Sequence, residues 1–320
     1  MQEEERKKFF VMNPARVESA LRSQEFLFRC DPYSAKIFSY PRDYKISNTK
    51  EYIEGKILSM SLWSIIAIDH LEINENSKIL DMCCAPGMKL VYAGLLMQAS
   101  APAGKQIYGT ITGIDISRSR LSITKSLIQK YKVPNVRLLL GDSASFISTP
   151  VYPVSKEEVK SEIHPCRCKM EAEGATGSAF YTSTSLRRIG HNHKEAKYDR
   201  IIVDPECSQT STVKYAEGQT PKPKNYAKEQ LEILSHGINM LAVDGILIYS
   251  TCTFEEEENE GVIQMALKNN PHITRIPIEK QTLSKYGVST KNIKTEETVK
   301  LPFSDSLFIA KLKYGKQITN

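Results

Sequence analysis

The chain has 320 residues, of which 41% are hydrophobic and 25% charged, a composition that is typical of a folded protein with a full hydrophobic core. It contains no apolar run long enough to span a bilayer, and its acidic first residues argue against a secretory signal or a transit peptide. Lys and Arg (43) outnumber Asp and Glu (37), and this excess permits a polyanionic partner without requiring one.

Residues 1–54 are predicted to form an N-terminal extension. Asn13 and Pro14 can begin a helix, and turns are predicted near Pro32 and Pro41. Residues 26–45 combine aromatic and basic side chains, a mixture that suits phosphate pairing and base stacking with nucleic acid. A lid that packs its aromatic residues on the main core explains the same pattern, so both interpretations stay open.

After the extension, predicted helices and strands alternate. Apolar residues at helical spacing predict a helix over 58–72. Apolar runs predict strands over 78–82, 110–115, 136–140, 198–204, 245–248 and 306–313, with helices over 90–97, 118–131, 225–243 and 259–269. This alternation predicts an α/β fold with a mainly parallel, doubly wound sheet and right-handed crossovers.

Residues 148–197 interrupt the alternation. Their prolines, glycines, charges and Ser/Thr tract predict a long insertion that is partly disordered. The segment includes His164, Cys166, Cys168, His191 and His193. A Cys-x-Cys pair with a distant His-x-His pair matches no standard zinc spacing, so we predict no metal site.

Small and acidic residues follow the first three strands of the predicted sheet. Ala85, Pro86 and Gly87 form a turn where a ligand can approach the backbone and the next helix N-terminus. Asp115 ends the second strand, where a carboxylate can bind two ribose hydroxyls, and Asp142 ends the third. Each acid alone is also a good helix cap. Together they indicate a nucleoside-shaped cleft, and the lack of Gly-x-Gly-x-x-Gly and Walker lysine motifs argues against NAD and ATP.

Two cysteines follow the next two strands. Cys207 lies after the strand over 198–204, close to Asp204, and Cys252 follows the strand over 245–248. One crossover helix separates them, so we expect both thiols at the same edge of the sheet. A thiolate there can add to carbon 6 of cytosine, after which carbon 5 attacks a sulfonium methyl, a base removes the carbon-5 proton and the thiol leaves. A buried core thiol or a structural disulfide is the alternative. The seven cysteines follow no regular framework, which favours a reducing compartment over a disulfide.

From about residue 55 to 312, the chain resembles the RNA cytosine-C5 methyltransferases of the Nol1/Nop2/Sun family, which includes RsmB-like bacterial enzymes. Residues 81–89 are similar to the family's cofactor turn, usually Asp-x-Cys-Ala-Ala-Pro-Gly-Gly-Lys. Ser-Thr-Cys-Thr at 250–253, followed by Glu-Asn-Glu at 258–260, is similar to the segment that carries its nucleophile. The resemblance implies that residues 55–320 form a Rossmann-like class I S-adenosylmethionine-dependent methyltransferase domain with a seven-stranded sheet.

The resemblance also implies a role for individual residues. Cys252 is the nucleophile, Cys207 helps to release the product, and Asp204 supports catalysis beside the cofactor. The residues implied to bind S-adenosylmethionine are Cys84, Ala85, Pro86, Gly87, Lys89, Asp115, Arg120, Asp142 and Asp204. The implied substrate is a cytosine in RNA, with tRNA favoured and rRNA as the alternative.

Two departures from the family pattern affect these expectations. Met88 replaces the second glycine of the cofactor turn, and Glu206 stands where a proline usually precedes the release cysteine. A carboxylate beside a thiol tends to raise its pKa, so we expect slower product release. A catalytically weak RNA-binding or assembly subunit is therefore the alternative to an active enzyme.

The expected setting is an intracellular, reducing compartment, either the nucleus or nucleolus or the cytoplasm, with an organelle left open. The resemblance implies that residues 1–54 form either an RNA-contacting lid or a remnant of the family's amino-terminal RNA-binding domain, and no PUA domain is visible. RNA selection would then come from the N-terminal extension, the insertion or a protein partner. We expect a monomer without membrane association.

Overall fold

The computed structural model of the chain describes residues 7–12, 28–30, 37–41, 44–146, 148–153, 178–183, 186–187, 197–212, 224–278 and 308–315. Within these ranges, the strands form a four-stranded sheet, an eight-stranded sheet and a two-stranded ribbon. The helix predicted to begin at Asn13 lies outside the described residues. No helix within the described ranges is both long and apolar enough to cross a membrane.

The four-stranded sheet belongs to the N-terminal part of the chain. Its strands are β1 (Lys7–Met12), β2 (Phe28–Cys30), β3 (Ile37–Pro41) and β4 (Ile57–Met60), in the antiparallel order β2-β3-β1-β4. A 3₁₀ turn (Ile46–Asn48) and helix α1 (Lys50–Ile53) connect β3 to β4. The limit of the extension at residue 54 stays a prediction.

Strand β4 corrects the helix predicted over 58–72. Leu58 and Met60 pair with β1, opposite Val11 and Phe9, so their backbone groups are satisfied across a sheet instead of along a helix. Helix α2 (Leu62–Asp69) begins only after Ser61. The apolar residues are buried partly in strand β4 and partly in the core helix α2, so their spacing across 58–72 does not reflect one continuous helix.

The eight-stranded sheet has the order β13-β14-β12-β11-β5-β6-β7-β9. The strands are β5 (Lys78–Asp81), β6 (Thr110–Asp115), β7 (Val136–Leu140), β9 (Ser178–Thr182), β11 (Tyr198–Val203), β12 (Leu241–Thr251), β13 (Ile273–Ile276) and β14 (Phe308–Tyr314). The strands β7, β6, β5, β11 and β12 are parallel, whereas β14 runs antiparallel between β12 and β13. The predicted α/β class with a mainly parallel, doubly wound sheet is confirmed.

The sheet has one strand more than the seven expected. The additional strand β9 comes from the insertion and pairs antiparallel with the outer edge of β7. The ribbon of β8 (Tyr152–Pro153) and β10 (Leu186–Arg187) also comes from this segment. Parts of the insertion are therefore ordered, because the free edge of β7 offers backbone partners that composition alone does not reveal.

Helices cover both faces of the large sheet. Helices α2, α3 (Met88–Ser100) and α4 (Arg118–Tyr131) pack on one face through buried residues such as Ile65, Leu90 and Leu121. Helices α5 (Tyr226–Met240) and α6 (Glu260–Asn269) pack on the other, through Leu234 and Ile263. The carboxyl ends of the parallel strands lie at one edge of the sheet. Because helices cover both faces, this edge is where a ligand can reach the sheet.

Strand β12 begins immediately after α5, although residues 241–243 were predicted as helix. Leu241 is buried and pairs with Tyr198, and the register then shifts so that Arg200 pairs with Ile246. Residues 242–245 therefore bulge from the ladder, with Asp244 at a φ of 61°. Asp244 and Gly245, between the predicted helix and the predicted strand, thus form part of a bulge within the strand that leads to Cys252.

Candidate active site

An ion pair bridges the point where the order of the parallel strands reverses. The carboxyl ends of β5 and β11 adjoin there, and open α/β sheets bind ligands in this crevice. Lys89, in the first turn of α3, donates from Nζ to Asp204 Oδ2 at 2.7 Å, and Ser250 Oγ donates to Asp204 Oδ1 at 2.7 Å. Burial works against the charge on Lys89, but Asp204 outweighs it and raises the pKa of Lys89. The ammonium and carboxylate therefore hold each other at this edge.

The two predicted thiols converge beside this ion pair. Cys207 Sγ and Cys252 Sγ lie 3.2 Å apart, with Cys207 buried and Cys252 partly exposed. The hydrogen bond between them lowers the pKa of Cys207 despite its burial. The same hydrogen bond, together with burial, raises the pKa of Cys252. The hydrogen bond thus favours ionisation of Cys207 over ionisation of Cys252.

The expectation that Glu206 raises the pKa of Cys207 is wrong. Its carboxylate is exposed and accepts a hydrogen bond from Lys224 Nζ at 3.1 Å. The carboxylate that opposes ionisation of Cys207 is Asp204, and its effect is smaller than that of the Cys252 hydrogen bond. Glu206 therefore pairs with Lys224, which also contacts Glu229 at 2.6 Å, and is directed away from its neighbour into solvent.

The predicted cofactor turn is tied to the end of β6. Gly87 has a φ of 109°, and a Cβ there would lie 2.8 Å from Thr124 Cγ2, so only glycine fits. Ala85 N–H donates to Asp115 Oδ2 at 3.1 Å, and Arg120 donates from Nη2 to the carbonyl oxygen of Ala85. Arg120 Nη1 also lies 3.7 Å from Asp115 Oδ2. These contacts hold the turn open beside the acid that was predicted to bind ribose.

Two residues of the turn, Cys84 and Met88, pack against the core. The Cys84 side chain is buried, and its N–H donates to the carbonyl of Ile114 at 2.9 Å. The prediction that Cys84 helps to bind the cofactor stays a prediction. Met88 is the first residue of α3 and packs against the core, so the helix accommodates it where the family has glycine.

Neither strand-end acid is the N-cap of a helix in the described residues, because Ser117 caps α4 and Asp142 is followed by a turn. Each acid instead accepts a hydrogen bond from the backbone two residues later. Asp115 Oδ1 accepts from Ser117 N–H at 2.9 Å, and Asp142 Oδ1 accepts from Ala144 N–H at 2.9 Å. Asp142 is exposed and lines a cleft of about 430 Å³. The other lining residues are Ile116, Ala144, Lys224, Asn225, Lys228, Glu229 and Glu232. A carboxylate that shapes a turn can still accept further hydrogen bonds.

Sequence reasoning missed two residues at this edge. Ile116 follows Asp115 directly and is 71% exposed, which is unusual for an isoleucine beside a polar cleft. Its position just after a strand-end acid was a usable signal. Asp81, at the end of β5, is only 1% exposed, and its Oδ2 has no hydrogen-bond partner in the structure as described. Burial, then the nearby Asp204, raises the pKa of Asp81 to about 8.

No group of three or more His, Cys, Asp or Glu side chains in the described ranges is arranged to hold a metal ion. The five His and Cys residues of the insertion (His164, Cys166, Cys168, His191 and His193) lie outside those ranges. The prediction about them stays untested.

The chain is similar to known RNA methyltransferases. Residues 171–313 match the family model described as 16S rRNA methyltransferase RsmB/F. An rRNA (cytosine-C(5))-methyltransferase, NOP2C of Arabidopsis thaliana, is 23% identical over 309 residues, which cover 81% of this chain and 50% of that protein. The mitochondrial tRNA (cytosine(34)-C(5))-methyltransferase of Mus musculus is 26% identical over 221 residues, covering 67% of this chain and 49% of that protein.

A solved structure shares the fold. A methyltransferase homologue from Pyrococcus horikoshii has a TM-score of 0.61 at 20% identity, covering 96% of this chain and 86% of that one. The chain spans about half the length of the two curated relatives that it matches.

Proposed function

We propose that the chain is a member of the RsmB/F and NOP2/Sun family of RNA cytosine-C5 methyltransferases, to which its comparisons point, and that it transfers a methyl group from S-adenosylmethionine to carbon 5 of a cytosine in RNA. The observation that carries this proposal is the 3.2 Å separation of the Cys207 and Cys252 sulfurs beside the Lys89–Asp204 ion pair. Covalent catalysis at an electron-poor ring needs one thiol to attack and a second group to remove a proton. The paired thiols supply both groups at one edge of the sheet.

The residues at this edge fit S-adenosylmethionine. The Ala85–Gly87 turn, the carboxylate of Asp115 and the cleft lined by Ile116 and Asp142 offer backbone, acidic and apolar surfaces for the methionine, ribose and adenine parts. When bound, the cofactor supplies an electrophilic methyl group. Lys89 follows the Ala85–Gly87 turn in the first turn of α3, and Asp204 and Lys89 both act on the ionisation of Cys252, so we assign this pair to the junction of cofactor and base.

Within this proposal, the two cysteines have separate tasks. Cys252 is the more exposed thiol. Its proton passes to ring N3 as its sulfur adds to carbon 6 of the cytosine, which raises the electron density at carbon 5. After methylation, Cys207 as thiolate takes the carbon-5 proton and the electron pair of that C–H bond re-forms the ring double bond. The bond from carbon 6 to Cys252 breaks, and the departing sulfur takes back the proton from N3. Asp204, held by Lys89 and Ser250, supports the ring while the adduct exists.

The proposed substrate is RNA with an accessible cytosine. A cytosine stacked in a duplex cannot reach Cys252 with carbon 6, so an unstacked base is required. We favour tRNA, with rRNA as the alternative, and the two curated relatives are named for one each. A formal net charge of +6 favours a polyanionic partner. The N-terminal extension, the insertion or a protein partner would select the RNA. Reduced thiols require an intracellular, reducing compartment.

The structure weakens the reasons for the alternative of an inactive RNA-binding subunit. That alternative depended on Met88 and Glu206. Met88 fits at the start of α3, and Glu206 pairs with Lys224. Neither departure therefore obstructs the thiols or the turn.

The test is to trap the adduct. Cys207→Ala, incubated with cellular RNA and radiolabelled S-adenosylmethionine, should accumulate a labelled protein–RNA adduct that survives a denaturing gel. Cys252→Ala should form no adduct and transfer no methyl group, and the double variant should match Cys252→Ala. The proposal fails if wild-type protein transfers no label to any RNA and Cys207→Ala forms no adduct.

A further inference from the structure

Two neighbouring polar residues are buried at the end of an exposed acidic run. Residues 255–257 are exposed glutamates, whereas Glu258 and Asn259 are buried. Burying a charged or amide side chain is costly unless its polar atoms are hydrogen-bonded. The partners of Glu258 and Asn259 therefore show what these residues do.

Glu258 acts with Gln230 on the two peptide groups that flank Cys207. Gln230, fully buried on α5, donates from Nε2 to the carbonyl oxygen of Glu206 at 2.9 Å and to Glu258 Oε2 at 2.8 Å. Glu258 Oε2 in turn accepts from the backbone N–H of Ser208 at 3.0 Å. The peptide before Cys207 is thus held by Gln230, and the peptide after it by Glu258.

Asn259 makes the corresponding contacts around Cys252. Its Oδ1 accepts from the Thr251 hydroxyl, and its Nδ2 donates to the carbonyl oxygen of Thr253 at 3.0 Å. Asn259 is also the N-cap residue of α6, yet its side chain makes no capping hydrogen bond. Asparagine at this position normally caps the helix. Here its amide is directed to the residues on either side of Cys252 instead.

The two cysteine segments are also tied directly to each other. The hydroxyls of Ser208 and Thr253 lie 2.6 Å apart, and Thr210 Oγ1 lies 2.8 Å from Thr253 Oγ1. Ser211 N–H donates to the carbonyl oxygen of Cys252 at 3.4 Å. Because Glu258 and Asn259 are covalent neighbours, a shift of one cysteine segment is transmitted to the other.

We propose that Glu258 and Asn259 are positioning residues that set the distance between the Cys207 and Cys252 sulfurs. Glu258, through Gln230 and Ser208, places the thiol that releases the product. Asn259, through Thr251 and Thr253, places the thiol that attacks. The assignment of these two steps rests on the proposed function, whereas the positioning itself does not.

The first test measures thiol proximity without RNA or cofactor. Diamide oxidises two adjacent thiols to a disulfide and is itself reduced to the hydrazine, so the rate of the Cys207–Cys252 cross-link reports their separation. The cross-linked peptide is quantified by mass spectrometry. We expect Glu258→Ala and Asn259→Ala to cross-link at least about tenfold more slowly than wild type, because small misplacements of paired groups cost large factors in rate.

Two matched variants separate positioning from charge. Glu258→Gln keeps an acceptor oxygen for both Ser208 and Gln230, so it should cross-link at nearly the wild-type rate. Glu257→Ala removes an exposed carboxylate one residue away and should change nothing. If Glu258→Ala does not fold, Gln230→Met tests the same arrangement by removing the hydrogen bond to the Glu206 carbonyl. A folded Glu258→Ala or Gln230→Met that cross-links at the wild-type rate would overturn the proposal, as would a Glu258→Gln as slow as Glu258→Ala.

The second test separates the two steps. Glu258→Ala should accumulate the protein–RNA adduct and lower kcat about tenfold or more with little change in KM, because product release depends on the placement of Cys207. Asn259→Ala should lower the rate of adduct formation instead. If both variants cross-link slowly but wild type methylates no RNA, the positioning role stands and the proposed function fails. If wild type methylates RNA, Glu258→Ala releases product at the wild-type rate and Asn259→Ala forms the adduct at the wild-type rate, the positioning role fails and the proposed function stands.

Discussion

Lys89 Nζ and Asp204 Oδ2 are 2.7 Å apart, and this ion pair joins the segments that follow two adjacent strands, β5 and β11. The side chains are 16% and 29% exposed, so water screens them only in part. Asp81 lies close enough to Asp204 to raise its own pKa. Lys89 is therefore the cation that balances two acids at the crevice.

Replacing Lys89 with methionine should destabilise the fold. Asp204 would be left partly buried without its cation, at a cost of about 2–4 kcal/mol in the free energy of unfolding measured with urea. Lys56→Met is the matched control, because Lys56 pairs with Glu54 at 2.8 Å in a more exposed setting and should cost less than about 1 kcal/mol. The double variant Lys89→Met, Asp204→Asn should recover part of the stability that Lys89→Met loses. If the losses of the two single variants add in full, Lys89 and Asp204 are not coupled.

Replacing Cys207 with alanine should lower the pKa of Cys252. The hydrogen bond to Cys207 is the largest cause of the raised pKa of Cys252, and the substitution removes it. The pH dependence of Cys252 alkylation by iodoacetamide, followed by mass spectrometry of its peptide, should shift to lower pH. Cys207→Ser, which retains a polar partner, should shift less. An unchanged or upward shift in Cys207→Ala would show that burial alone controls the thiol.

Asp81 should make the protein less stable as the pH rises. Its pKa is about 8 in the folded state, whereas the ordinary pKa of an aspartate is about 3.8, so between these pH values the native state binds a proton that the unfolded state does not. The free energy of unfolding should consequently fall from about pH 4 to about pH 8. Asp81→Asn should remove this pH dependence. The free energy of unfolding of the variant, relative to that of wild type, should be higher by a few kcal/mol at pH 9 than at pH 4.

Urea unfolding at a series of pH values measures this difference. Asp142→Asn, an exposed carboxyl at the same edge of the sheet, is the matched control. Parallel pH profiles for wild type and Asp81→Asn would mean that the Asp81 carboxyl titrates normally in the fold.

Ile116 should contribute to cofactor affinity and not to stability. Its side chain is 71% exposed, so truncation to alanine removes little buried surface from the free protein. Burying three carbons against a bound adenine would stabilise the complex by about 1–2 kcal/mol, or roughly tenfold in Kd. Calorimetric titration with S-adenosylhomocysteine measures this change without turnover. Ile123→Ala, at a 53% exposed site on α4, should leave the Kd unchanged. Equal Kd values for Ile116→Ala and wild type would place the adenine elsewhere.

The periodic part of the fold was predictable because its signals are local. Strands β6 and β7 and helix α4 match the predicted ranges, since continuous apolar runs and a clear helical stripe specify them without help from distant residues. Strand β4 was missed because its partner, β1, is distant in sequence. Strand β9 was missed because it pairs with the free edge of β7. A backbone ladder between distant segments leaves little trace in composition.

The site was predictable to the level of topology. The convergence of Cys207 and Cys252 followed from two strand ends separated by one crossover helix. The direction of a side chain did not follow, which is why Glu206 was expected beside a thiol and instead pairs with Lys224. The Lys89–Asp204 pair and the Gln230–Glu258 contact join residues that are distant in sequence, and only the folded chain reveals them.

Strand β14 has a consequence for biosynthesis. It pairs with the strand that leads to Cys252, with Ile309 opposite Ser250 and Phe308 opposite Thr251, although it follows that strand far along the chain. A ribosome therefore delivers both thiols well before the segment that completes the sheet beside them. Until β14 has been synthesised, one edge of β12 has no hydrogen-bonded neighbour, and Cys252 lies at the end of an incompletely paired strand. The sheet beside the thiols can thus be completed only after β14 has left the ribosome.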